Sequence, residues 1–406
     1  MATLCKNCGY PLVYDPVSQN VICDACGSAF AAEQIHAYGK EYEEGTTPFL
    51  MDENGVMREF MECQVYSCNT CGGEIIISGA EVSTTCIYCG SPSVIFSRVS
   101  KEMRPDFILP FQFNRDQATQ IIKQRFGSGL FVPKEFKELQ PDSVRGIYIP
   151  YWLVDVYHAE SDIIRGEVGS GDNSSTYYYA RAGRMKINNM LIEASMELND
   201  ESSSRLEPFD LRKLKLFDEE YMLGFYSDMS DMTYGELRKV ADQKATAKFQ
   251  STIIYDVDAS SKRVIRNQSA TLIDKDLKYA MLPAWFVTVQ YQGKPHTILV
   301  NGESGKVVCG LPWNKKLFWS LVGAVAAGIA LVAGIFYSII GLFFGSGFGT
   351  MGFFAMFAGL IPYAAPALII SLIFFLIGMI FYTKVNKQIK LTQSTDTFRF
   401  TKKRQG

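Results

Sequence analysis

The sequence predicts a multidomain chain: two small four-cysteine ribbons, an α+β domain and a C-terminal transmembrane α-helical hairpin. Three observations carry that prediction. Eight of the ten cysteines fall in four Cys-x2-Cys pairs within the first 90 residues. The middle of the chain mixes short apolar strands with long helical stretches. Residues 317–382 contain no Asp, Glu, Lys, Arg or His.

The cysteine pairs come first. Cys5-x2-Cys8 is followed by 14 residues and then Cys23-x2-Cys26, and Cys68-x2-Cys71 by 14 residues and then Cys86-x2-Cys89, the same pattern at an offset of 63. Glycine follows the second cysteine of every pair: Gly9, Gly27, Gly72 and Gly90. Two thiolates on such a turn reach one Zn2+ at about 2.3 Å, and the glycine takes the positive φ that turns backbone N–H groups toward sulfur. Two turns on short hairpins complete a tetrahedral site with no open position. Cys5, Cys8, Cys23, Cys26, Cys68, Cys71, Cys86 and Cys89 are therefore the candidate metal ligands, and two structural zinc ions are the expected cofactors. A redox Cys-x-x-Cys would need a thioredoxin-like βαβ context, which is absent. An iron–sulfur site is the other alternative. Leu12-Val13 and Ile75-Ile76-Ile77 read as ribbon strands, which gives zinc ribbons at 1–30 and 63–100 and a linker with a short helix at 31–62. Cys63 reads as a lone buried thiol.

Charge bears on the partner. Residues 1–100 hold four cations against twelve acids, a net charge of −8. Non-specific nucleic-acid affinity comes from Lys and Arg on phosphate. A region this acidic is a poor nucleic-acid binder and a reasonable protein-docking surface. The chain opens directly into the metal-ligand pattern, with no signal peptide expected, and its cysteines read as ligands rather than disulfides.

The α+β domain spans 104–312. Phe107-Ile108-Leu109-Pro110-Phe111 reads as a short strand and 116–126 as a helix capped by Asn114 or Asp116. Residues 146–157 form a strand entered through proline. Antiparallel alternation runs over 160–198 through a turn at 169–173. Residues 217–250 read as mainly helical, 253–257 as a strand, 282–291 as a strand and 301–306 as a hairpin turn. Ile149-Pro150-x-Trp152-Leu153-Val154 is echoed by Leu282-Pro283-x-Trp285-Phe286-Val287, the mark of an internal pseudo-repeat. Trp152 and Trp285 read as core or interface anchors. The only histidines are His36, His158 and His296, none beside a nucleophile. Asp155 and Glu160 read as solvated or sheet-face groups. No catalytic residue is assigned and no enzymatic activity is expected.

The last element is the apolar stretch. Residues 317–344 exceed the roughly 20 needed to cross a bilayer core. A Gly-rich break over 345–352 separates them from a second span at 362–382. Lys315 and Lys316 precede the first span, and seven cations against Asp396 alone follow the second over 383–406. Lys and Arg near span ends stay cytoplasmic, so the expectation is an integral, multi-pass protein of the cell membrane with both termini cytoplasmic. Anionic lipid headgroups are the expected partners of the basic tail. Gly347-x-Gly349-x-x-Gly352 reads as a flexible turn rather than a dinucleotide fingerprint, since no βαβ context surrounds it.

The knuckles from Cys68 to Cys89, Pro105-Asp106-Phe107-Ile108-Leu109-Pro110-Phe111, Pro133, Gly146-x-Tyr148-x-Pro150-x-Trp152-Leu153-x-Asp155, Leu282-Pro283-x-Trp285 and Asn301-Gly302-x-x-Gly305-Lys306 carry a resemblance. In order and content they resemble a family of bacterial membrane proteins labelled transcription-factor-IIB-type zinc-ribbon-containing proteins. The resemblance covers about residues 63–340 and departs at Cys68-Asn69-Thr70-Cys71, which lacks the proline common after the first ligand. It implies association with flotillin-like and phage-shock-type membrane-stress proteins, and no settled activity. The expected function is a membrane-anchored zinc-ribbon adaptor that recruits protein partners at the cytoplasmic face. The rival is a membrane-tethered nucleic-acid-binding or transcription-linked factor.

Overall fold

In the computed structural model the described residues are 3–32, 35, 50–51, 57–77, 86–89, 91–127, 132–138, 144–169, 173–195, 200–228, 230–291, 294–308, 314, 316–321 and single positions at 323, 324, 328, 376, 379, 380 and 383. The first ribbon is an antiparallel sheet of β1 (Val13–Asp15), β2 (Asn20–Ile22) and β3 (Ala29–Phe30). β4 (Leu50–Met51) and β5 (Met57–Arg58) form a hairpin. The second ribbon hangs on β6 (Phe60–Cys68), β7 (Glu74–Ile77) and β8 (Val94–Met103). The rest comprises β9 (Phe107–Ile108), α1 (Arg115–Gly127), α2 (Lys134–Lys137), β10 (Val144–Val168), β11 (Ser175–Glu193), α3 (Asp200–Leu206), β12 (Lys215–Leu216), β13 (Tyr226–Ser227), α4 (Tyr234–Tyr255), β14 (Ser261–Ile273), β15 (Lys278–Tyr291), β16 (Lys294–Asn301) and β17 (Val307–Val308).

β10 organises the fold. Its first half pairs antiparallel with β15 and, at Ile147 and Tyr148, parallel with β13. Almost every residue there is buried, because both faces are covered. Its second half lies between β11 and β14 and alternates buried with exposed. That is the period of a strand with one covered face. α4 supplies the cover, burying Leu237, Ala241, Ala245 and Phe249 at four-residue spacing. The helix starts at a capping box, in which the Thr233 hydroxyl accepts the Glu236 N–H while the Glu236 carboxylate accepts the Thr233 N–H at 2.9 Å. β13 in turn pairs with β7, so the second ribbon is continuous with the large sheet.

Opposite pleat faces of β10 feed two cores. Tyr148, Trp152, Val154 and Val156 pack in one with Trp285, Phe111 and Phe225, together with Cys5, Tyr14, Val21 and Cys23 of the first ribbon. Ile147, Ile149, Tyr151 and Leu153 pack in the other with Leu282 and Phe286, together with Cys68, Cys71, Cys86 and Tyr88 of the second. The two ribbons therefore cover opposite faces of one sheet.

Several expectations need correction. Among the described residues no helix is long and apolar enough to cross a membrane. The transmembrane hairpin, the multi-pass reading and the cell-membrane location with cytoplasmic termini are corrected on that finding. Freedom from charge is a requirement for a span and does not by itself make one. Only helical positions at 316–321, 323, 324, 328, 376, 379, 380 and 383 of that stretch are described; the rest of 317–382 and the basic tail over 384–406 lie outside the described residues. The α+β expectation also gives way, because the described residues are mainly β-sheet with few helices. Polar β14 carries no apolar alternation yet is held as a strand by β10 along twelve register partners. Ile253 and Ile254, expected in a strand, close α4. The expected helix over 217–233 instead holds, among the described residues, one 3-10 turn at Glu219–Met222 and the short strand β13, with Gly224 at φ +82° between them.

Candidate metal centres

The knuckle turns bring the eight cysteines into two groups of four. Gly9, Gly27 and Gly72 adopt φ of +72°, +72° and +84°, and each donates its N–H to the first cysteine of its pair, Gly9 to Cys5 O at 2.7 Å and Gly27 and Gly72 to Cys23 O and Cys68 O at 2.8 Å. Gly90 and the segment 78–85 lie outside the described residues.

Cys5, Cys8, Cys23 and Cys26 form one cluster and Cys68, Cys71, Cys86 and Cys89 the other, all ligand sulfurs in each within 4.8 Å of one another. Cys5 Sγ lies 3.6 Å from Cys26 Sγ and Cys8 Sγ 3.4 Å from Cys23 Sγ. In the second cluster the Cys68–Cys89 and Cys71–Cys86 separations are both 3.7 Å. A disulfide requires about 2.05 Å. A tetrahedron with metal–sulfur bonds of about 2.3 Å has edges of about 3.8 Å. These are metal-binding geometries. The donor set is closed: four soft sulfurs from two knuckles leave no coordination position for water or substrate.

Local polar groups prepare the sulfurs. The Ser28 hydroxyl lies 3.1 Å from Cys26 Sγ and, with the Ser28 N–H, lowers that thiol to about 6. In the second cluster hydrogen bonding from Cys71, then Cys86, holds Cys89 low, at about 2, while Cys86 is pushed up, first by Cys71.

Both clusters are fastened to the large sheet. Tyr14 N donates to Leu223 O at 3.1 Å, and the Gln19 side chain donates to Phe111 O at 2.7 Å. On the other face Thr288 Oγ1 donates to Ile87 O and Tyr88 O, both at 3.2 Å, inside the last knuckle of the second ribbon.

The remaining candidates are structural or lie elsewhere. Cys63 is buried on β6, away from both clusters, its thiol pushed up to about 12 by burial and then by Glu102 and Glu219. Trp152 and Trp285 are core anchors, Trp285 with its ring 4.7 Å from Phe111 and Trp152 with its ring 5.1 Å from Tyr279. Asp155 sits at a bulge in β10 and accepts the Asn189 N–H at 2.8 Å. His296 is buried beside Phe136. His36 and Cys309 lie outside the described residues.

Sequence reasoning passed over one constellation. His158, Glu160 and Asp162 occupy alternate positions on the covered face of β10 and are all buried. His158 Nε2 lies 2.7 Å from Glu160 Oε2, Gln250 of α4 donates to Glu160 Oε1 at 2.8 Å, and His158 Nδ1 lies 2.8 Å from Thr271 Oγ1. The Thr271 hydroxyl donates to Asp242. The signal was present as His-x-Glu-x-Asp at strand period, three polar groups on the face that the flanking apolar residues Val156 and Ile164 mark as buried.

No protein-family model matches the chain, and no solved structure matches it. The chain is similar to the uncharacterized protein YdjG of Bacillus subtilis, with 25% identity over 357 residues that cover 85% of this chain and 98% of that protein.

Proposed function

We propose that this chain is a non-catalytic zinc-ribbon adaptor. Two structural zinc ions, held by Cys5, Cys8, Cys23 and Cys26 and by Cys68, Cys71, Cys86 and Cys89, stiffen two ribbons that dock protein partners. The observation that carries the reading is the placement of the two closed four-sulfur clusters on opposite faces of one sheet. A metal with no open position contributes shape rather than chemistry, and shape fixed on two faces of one body suits a scaffold. The net charge of −8 over residues 1–100 favours basic protein surfaces over phosphate. Crosslinking of the full-length chain in its native extract, beside Cys71→Ser, tests it. The adaptor reading expects a partner recovered with the intact chain and lost with Cys71→Ser. Equal recovery from both would remove the ribbons from the function.

One observation favours the nucleic-acid reading. The uncovered face of the β10, β11 and β14 arm exposes Arg165, Arg184, Lys186, Arg263 and Arg266. Exposed Tyr157 and Tyr178 lie on the same face, with the Lys186 ammonium 5.0 Å from the Tyr157 ring centroid. Cations interleaved with aromatic rings suit single-stranded nucleic acid. Fluorescence anisotropy with single-stranded DNA and RNA at low and moderate salt decides between them. Sub-micromolar binding that survives moderate salt and is lost in Arg165→Glu/Arg263→Glu would promote this second reading.

A further inference from the structure

We propose that Glu160 and Asp162 bind a divalent cation beneath α4, at a site separate from both cysteine clusters. Asp162 is 1% exposed, and both its carboxylate oxygens are buried with no hydrogen-bond donor among the described residues. Burial first, and then the Glu160 carboxylate two positions along the same face of β10, push the Asp162 carboxyl up. A carboxylate withdrawn from water without a donor is costly, and a second one on the same face adds repulsion.

The surrounding hydrogen bonds set the charge. The Thr271 hydroxyl spends its proton on Asp242, so it accepts from His158 Nδ1–H. A proton must then lie on the 2.7 Å line between His158 Nε2 and Glu160 Oε2, for otherwise two acceptors would face each other. Whichever atom holds it, the His158–Glu160 pair is neutral. Asp162 is then left as a buried carboxylate with no donor among the described residues, and a divalent cation beside it would supply the missing positive charge. The nearby cations are committed elsewhere: Arg181, the register partner of Asp162 on β11, bonds Asp256 at 3.0 Å, and Lys262 donates to Ile254 O at 3.2 Å.

Counting oxygens favours a metal over a shared proton. One proton between the two carboxylates would still leave a second Asp162 oxygen buried without a partner. A hard cation takes both Asp162 oxygens and Glu160 Oε1, the usual manner of oxygen coordination for Ca2+ or Mn2+. Asn267, the register partner of Asp162 on β14, is exposed and touches Glu160 Oε1 at only 3.5 Å. Its amide oxygen can turn to the ion at little loss. Glu160 stands opposite Gly183, where an added Cβ would meet the Phe249 ring at 3.2 Å, so the wall beside the site is kept thin.

Mn2+ is the probe, and its free electron-paramagnetic-resonance signal is the readout on the purified full-length chain. The expected result is a bound Mn2+ displaced by Ca2+, lost in Asp162→Asn and weakened about 10–100-fold in Asn267→Ala. In metal-free buffer Asp162→Asn should unfold at the same or a higher temperature than the wild type, and added Mn2+ should raise the wild-type midpoint alone. Mn2+ binding kept by Asp162→Asn, or absent from the wild type, overturns the proposal. Should Asp162→Asn fail to fold, unchanged Mn2+ affinity in Asn267→Ala overturns it instead.

Discussion

Tyr14 of the first ribbon and Tyr221 of the large domain meet edge to face, their ring centroids 5.1 Å apart at 68°. Both are almost fully buried, so the ribbon is part of the core rather than an appendage. Truncating a large aromatic in such a core costs about 3–5 kcal/mol, and that is the expected loss for Tyr14→Ala in urea unfolding. A double-mutant cycle with Tyr221→Ala should return a coupling of about 0.5–1.5 kcal/mol. A loss below about 1 kcal/mol, outside the range for core aromatics, would mean that the ribbon unfolds independently.

Gly146 on β10 tests the packing of the aromatic core that the first ribbon joins. A Cβ there would stand 2.5 Å from a Phe225 ring carbon and 3.1 Å from the Trp285 ring. Gly146→Ala should destabilise by about 1–3 kcal/mol through overpacking. Thermal unfolding reads the effect, and an unchanged midpoint would show that these rings have room to retreat.

The α4 start gives a smaller and local effect. Thr233→Ala removes the hydroxyl that accepts the Glu236 N–H, and the expected cost is about 0.5–2 kcal/mol. Thr233→Ser should recover most of it, since serine caps equally well. Failure of serine to do so would assign the loss to the methyl group.

How much of this was legible in the sequence depends on whether a segment's partners lie near it. The Cys-x2-Cys knuckles with their glycines are local, and the eight sulfurs stand in two groups of four as the spacing implies. α1 over Arg115–Gly127 starts beside Asn114, which accepts the Gln117 N–H at 3.0 Å, again a local signal. The two Pro-x-Trp echoes were visible, but not that they would be neighbours: Ile149 opposes Leu282, and Pro150 opposes Met281, on antiparallel strands. β14 was invisible because its polar residues gain a strand only from pairing with β10. The His158, Glu160 and Asp162 row was misjudged for the same reason, since only α4 folded over the sheet makes that face an interior.

Cys63 carries the pH dependence. Burial, then Glu102 and Glu219, raise its folded value to about 12, above its ordinary value. The folded protein thus prefers the neutral thiol. The contribution is fully present below the ordinary thiol value and is lost as pH rises from there toward about 12. At pH 8 Cys63 should resist iodoacetamide in the folded chain and react after unfolding, as peptide mass spectrometry will register. Alkylation of the folded chain at pH 8 on the timescale of a free thiol would disprove the burial of this side chain.

Whether both four-cysteine clusters are complete metal sites is read from the zinc content of the purified chain by elemental mass spectrometry. Two zinc ions per chain are expected, falling to one in Cys71→Ser, with the ion of the first ribbon retained. Metal binding of this kind supplies about 10–16 kcal/mol of apparent folding energy at neutral pH in small modules, so partial occupancy should also appear as a drop in the unfolding midpoint. One zinc per chain in the wild type, or iron in place of zinc, would contradict it.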